Sequence, residues 1–192
     1  MRALIEAFPD QLSAAATSMA SQPLNQDVPP HENILVLGMG GSGIGGRFLA
    51  GLLGDAARVP IASGHDYRIP AWVGPKTVVL ACSYSGNTEE TLTALDAAIK
   101  KGAHIRALTS GGQLAELAKQ HGWAVLTVPG GHPPRSQFGW AVTGLLHHFS
   151  ALGHCPTDSA NVLDDVQACA QALRHHRASI LDTADRWAEV LN

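Results

Sequence analysis

Cysteine is scarce in this chain, and the three present, Cys82, Cys155 and Cys169, are odd in number and show no C-x-x-C spacing. That excludes a disulfide framework and a zinc knuckle, and it fits a reducing, cytoplasmic setting. No apolar run approaches the ~18 residues a membrane span needs, and Glu6 and Asp10 interrupt any apolar core of a signal peptide. Lys and Arg are nowhere clustered and the formal net charge is −3, so neither nucleic acid nor an anionic membrane surface is expected as the main partner. Internal repeats and low-complexity tracts are absent. His147-His148, His154, Cys155 and His175-His176 match no standard zinc pattern; adjacent histidines on a helix point to different faces, and no H-E-x-x-H occurs. No metal and no cofactor is expected. What is left is a chain of 192 residues, 45% apolar and 15% charged, with the size and balance of one globular domain and a small ligand.

The most informative stretch is Ser83-Tyr84-Ser85-Gly86-Asn87-Thr88-Glu89-Glu90-Thr91. It follows an apolar, β-branched run at 77–82 that has the length of a buried strand, and it precedes an amphipathic helix pattern. Three hydroxyls (Ser83, Ser85, Thr88) and a permissive Gly86 therefore sit where the unpaired amides and positive end of a helix favour an anion. The expectation is a phosphate cradle. Asn87 is the expected N-cap, with Glu90 in capping-box position; Leu92, Leu95 and Ile99 form the apolar stripe, and Gly102 closes the helix after Lys100 and Lys101.

Along the chain, a helix is expected from about 4 to 19 with a break at Phe8-Pro9-Asp10, then a polar, Pro-containing approach from 22 to 31. Strands are expected at 33–37, 59–62, 77–82, 104–109 and 123–128, and helices at 47–53, 113–121, about 137–152 and from about 158 onward. Strands alternating with helices give a parallel α/β sheet covered on both faces, with ligands beyond the carboxyl ends of the strands. Gly38-Met39-Gly40-Gly41-Ser42-Gly43 opens a second glycine loop at that edge. It satisfies G-x-G-x-x-G, so a dinucleotide site and simple tight packing both stay open beside a phosphate site. Pro133-Pro134-Arg135 presents one arginine from a stiff loop, suited to a sugar oxygen or phosphate.

Taken in order, Gly38 to Gly43, Tyr67-Arg68-Ile69-Pro70, Ser83 to Thr91, Thr109-Ser110-Gly111-Gly112 and Pro133-Pro134-Arg135 resemble the sugar isomerase (SIS) domain, within it the bifunctional phosphoglucose/phosphomannose isomerases, in the amino-terminal of their two domains. The resemblance spans about residues 33–152 and implies a five-stranded parallel sheet flanked by helices on both faces. It implies 1–32 as a helical lead-in, 33–152 as the phosphosugar-binding domain and 153–192 as a helical segment. Substrate-binding residues by this resemblance are Gly40, Gly41, Ser42, Ser83, Ser85, Thr88 and Arg135, with Arg135 over the reacting carbons. The implied reaction interconverts glucose 6-phosphate or mannose 6-phosphate with fructose 6-phosphate through an enediol, which needs a carboxylate base and a cation.

Proteins of this kind carry their general base, ring-opening histidine and catalytic lysine in a second domain. Two functions follow. Either a homo-oligomeric isomerase recruits Glu89, Glu90, His65 or His132, or the chain is a half-enzyme that binds a hexose phosphate with little turnover. Apolar residues in the last helices point to a homodimer or larger homo-oligomer.

Overall fold

In the computed structural model, which describes residues 2–25, 28–54, 57–155 and 161–191, the apolar runs become five strands: β1 Asn33–Leu37, β2 Ile61–Gly64, β3 Thr77–Ser83, β4 His104–Thr109 and β5 Ala124–Thr127. Their order is β2-β1-β3-β4-β5, with every neighbouring pair parallel. The described helices are α1 Arg2–Glu6, α2 Phe8–Ala20, α3 Gly40–Leu53, α4 Glu89–Lys100, α5 Gly112–His121, α6 Phe138–Ala151, α7 Val162–His175 and α8 Arg177–Leu191.

Strand residues alternate between two cores. Ile34, Val36, Val78, Leu80 and Cys82 pack with α2, α3, α6 and α7, whereas Leu35, Leu37, Val79 and Ala81 pack with α4 and α5. This is why the central strands read as unbroken apolar runs: both faces are covered. The expected α/β sandwich is borne out.

Side chains lock the layers. His148 of α6 is fully buried and its Nε2 donates to the Ala107 carbonyl of β4 at 3.1 Å. Burial pushes its pKa down to about 3, so the ring is neutral. Gln22 lies along edge strand β5, accepting from Thr127 N at 2.8 Å and donating to Thr127 O at 3.0 Å. Its amide thus covers an otherwise open sheet edge. Ser13 of α2 bonds Gln167 of α7 at 2.6 Å, and Asp10 pairs with Arg174 at 2.8 Å.

Several boundaries differ from expectation; β5 is one residue shorter at each end, and three other changes are larger. Helix α3 starts at Gly40, not at 47, so the glycine-rich stretch is itself the first two turns of a helix. Packing outweighs the poor helix propensity of glycine: a side chain on Gly46 would meet Val36, and one on Gly45 would meet Leu145. Strand β2 starts two residues later than expected, at Ile61. The last helical region divides into α7 and α8; the expected start near 158 lies outside the described residues. Helix α8 buries none of its residues, and Ile180, Trp187, Val190 and Leu191 are exposed. Among the described residues no helix is long and apolar enough to cross a membrane.

Candidate functional site

The register of the sheet brings β3, β4 and β5 to a common carboxyl edge, with Ser83 beside Thr109 and Thr109 beside Thr127. The 83–88 turn leaves this edge and enters α4. Gly86 adopts φ +71°, a left-handed conformation that suits glycine, and a Cβ there would overlap the carbonyl oxygen of Gly111. The turn is thereby pressed against the 109–112 loop. Leu114 N donates to Gly86 O at 2.9 Å, and Ser110 donates to Tyr84 O from both N (3.0 Å) and Oγ (2.6 Å).

The start of α4 departs from expectation in a way that matters. Thr88, not Asn87, is the N-cap, and it makes no side-chain capping bond. Its hydroxyl bonds Ser83 Oγ instead, at 2.9 Å. Asn87 turns away to the next helix, where its Oδ1 accepts from Gln113 N at 2.9 Å. The first-turn amides of α4 have no intrahelical acceptor and no capping side chain, and that is the arrangement that holds an anion. Ser85 is exposed beside them, its Oγ accepting from Asn87 N at 3.2 Å. Ser83, by contrast, is 1% exposed. It reaches the cradle through Thr88.

Helix α3 supplies the adjoining wall. Ser42 Oγ accepts from Tyr84 N at 3.1 Å, tying this helix to the cradle. Gly40, at φ +49°, is exposed at the head of α3. Gly41 lies against the 3-10 turn Pro134–Ser136: a Cβ there would come 2.9 Å from Arg135 Cα and 3.0 Å from Arg135 N. Glycine is required for that approach. The structure therefore brings Gly41, Ser42, Ser83 and the Arg135 turn together, with Thr88 joined to Ser83, while the exposed Arg135 itself lines a surface cavity with Leu4, Ile5 and Phe8. A cavity of about 20 Å³, enough for about one water, lies beneath and is lined by Ser42, Tyr84, Gln137 and Trp140 among others.

No family model matches the chain. Over 146 residues it is 41% identical to the bifunctional phosphoglucose/phosphomannose isomerase of Caldicellulosiruptor bescii, covering 76% of this chain and 43% of that protein. The chain belongs to the bifunctional phosphoglucose/phosphomannose isomerase family, as an SIS domain. It is also 37% identical over 127 residues to the D-glucosamine-6-phosphate 4-epimerase of Sulfolobus acidocaldarius, covering 64% of this chain and 40% of that protein. In fold it is similar to the C-terminal domain of glucosamine-fructose-6-phosphate aminotransferase from Francisella tularensis, with TM-score 0.59 at 15% identity, covering 97% of this chain and 56% of that one. The chain spans less than half the length of these curated relatives.

Within this SIS domain the acid–base candidates are placed as follows. His65 is occupied at both nitrogens: Nδ1 donates to Gly38 O at 2.8 Å, and Nε2 accepts from Arg47 Nε at 2.7 Å. It pins the end of β1 to the loop after β2. Glu89 and Glu90 lie in the first turn of α4 and raise the pKa of the Tyr67 phenol by their charge, Glu89 the more. His132 is exposed, and its backbone N–H donates to the Tyr84 phenol oxygen at 3.1 Å. Cys82, beneath the cradle, is buried and its thiol pKa is pushed up to about 12, which keeps it protonated and unreactive. Sequence reasoning did not single out Tyr84 or Gln11. Gln11 of α2 donates to Ser136 O and accepts from Gly139 N, both at 2.7 Å, holding the far end of the Arg135 turn. Neither has a local signal, because both act through residues distant in sequence.

Proposed function

We propose that the chain binds a hexose 6-phosphate at this site and serves in aldose–ketose isomerisation, interconverting glucose 6-phosphate or mannose 6-phosphate with fructose 6-phosphate. The observation that carries the reading is the uncapped start of α4, where open amides, Ser85 and Thr88 meet on a helix N-terminus. These groups hold the phosphate through charge-assisted hydrogen bonds and the helix dipole. The sugar then lies along Gly41 and Ser42 toward the Arg135 turn, which Gly41 touches.

Isomerisation moves a proton between C1 and C2 through an enediolate whose oxygens carry the developing negative charge. Arg135 supplies the positive charge for that oxyanion. The carboxylate that moves the proton comes from outside this cradle. His65 has both nitrogens engaged, and Glu89 and Glu90 sit in the helix turn that receives the C6 phosphate, at the opposite end of the sugar from C1 and C2. The greater length of the relatives supports the same division.

Titration calorimetry with fructose 6-phosphate, paired with coupled conversion to glucose 6-phosphate by the chain alone, tests this. Saturable binding without turnover is expected. Turnover by the chain alone overturns the assignment of the base to another segment, and heat from NAD with none from fructose 6-phosphate overturns the sugar-phosphate reading.

A further inference from the structure

Tyr84 stands in the middle of the cradle sequence, yet its side chain leaves the cradle. The phenol donates to the Pro129 carbonyl at 2.8 Å and accepts from the His132 N–H at 3.1 Å, so one hydroxyl closes both ends of the 129–132 loop. Its own backbone is held with equal care. The N–H donates to Ser42 Oγ, and the carbonyl accepts from the amide and hydroxyl of Ser110. One residue thus joins the start of α3, the loop after β4 and the loop after β5.

Immediately beyond His132 come Pro133 and Pro134, and then Arg135. Proline fixes φ, so a direction set at His132 passes through two residues with little slack. The other side of the turn is held by Gln11, through Ser136 O and Gly139 N. A turn pinned at both sides and touched by Gly41 leaves its arginine few backbone options. The Tyr84 ring also packs against the core beneath α3 and α6, a contact that a phenylalanine ring keeps.

We propose that the Tyr84 hydroxyl is a positioning residue: it fixes the Arg135 turn relative to the phosphate cradle, so that a phosphorylated sugar is met by the arginine in register. The inference rests on the reading of this site as a sugar-phosphate site. It separates two recognition steps, because inorganic phosphate needs only the cradle whereas fructose 6-phosphate also needs the Arg135 turn.

The test is a double-mutant cycle on Tyr84→Phe and Arg135→Ala, read by calorimetry with inorganic phosphate and with fructose 6-phosphate. For Tyr84→Phe we expect phosphate affinity within about twofold of wild type and a loss of about five- to tenfold for fructose 6-phosphate, the scale of one hydrogen bond. In the Arg135→Ala background the same change adds no further loss, and amide exchange at His132 quickens in the Tyr84→Phe protein. Additive losses overturn the proposal, as does an unchanged fructose 6-phosphate affinity or an equal loss for both ligands. A wild-type protein that binds phosphate but gains nothing from the sugar fails before any substitution is made. That result overturns the underlying site reading and this inference with it.

Discussion

Gly86→Ala is the perturbation that most sharply separates backbone strain from steric closure of the cradle. Two costs act at this position. The alanine has to hold φ +71°, a left-handed conformation that costs about 1 kcal/mol for an L residue. Its Cβ also overlaps the Gly111 carbonyl, and Thr109 Oγ1 stands 3.0 Å away. Relief requires the 109–111 loop to move off the 83–88 turn, at an overpacking cost of about 1–3 kcal/mol. Together these give a loss of about 2–4 kcal/mol in stability. The movement also strains the bonds from Ser110 to Tyr84 O and from Leu114 N to Gly86 O, so phosphate binding should fall with it. Gly122→Ala is the matched control: Gly122 has φ +69° at the end of α5, but nothing lies within 4 Å of a Cβ there. It should cost only the strain, about 1 kcal/mol, and leave binding intact. Urea unfolding and phosphate calorimetry on both variants decide the matter. Equal destabilisation with phosphate binding kept in Gly86→Ala would refute the packing of the two loops described above.

Three further outcomes follow from the same contacts. His148 is neutral in the fold with its pKa at about 3, against about 6.5 unfolded, so the unfolded chain binds more protons as pH falls and stability declines from about pH 6.5 downward. At pH 5 the loss relative to pH 7 should be about 2 kcal/mol, and urea unfolding at the two pH values should show it; His154, shifted down by burial and by His31, adds in the same direction. Asn87→Ala leaves Gln113 N without its acceptor and should lower stability by about 1 kcal/mol, measured by thermal unfolding, while helix α4 is unaffected in its own cap. Ser42→Ala removes the acceptor for Tyr84 N and should cost about 1 kcal/mol in urea unfolding, with phosphate affinity falling less than in Ser85→Ala.

The sheet was legible because its central strands are buried on both faces, and the residues that make that possible are contiguous. His104–Thr109 was placed to the residue, and Thr77–Ser83 to within one. The turn from β3 into α4 was legible for a related reason: a strand end followed by small polar residues and a helix start is a local event. What escaped the sequence is non-local. The glycine-rich 40–46 stretch reads as loop by propensity and is helical because Val36 and Leu145 occupy the space that side chains would need. Asn87 has the residue type and spacing of a cap, but the neighbouring helix α5 claims its side chain. His65 reads as a free loop histidine until the fold brings Arg47 and the Gly38 carbonyl to its two nitrogens. Arg135 was legible as a stiffly presented arginine, while the residues that hold the segments on either side of it, Tyr84 and Gln11, were visible only once distant segments met.

The most direct measurement is a crystal structure of the chain with fructose 6-phosphate bound. Phosphate on the first-turn amides of α4, between Ser85 and Thr88, with the sugar extending past Gly41 toward Arg135, is the result predicted. Phosphate bound at another surface, or sugar directed away from the Arg135 turn, would contradict it.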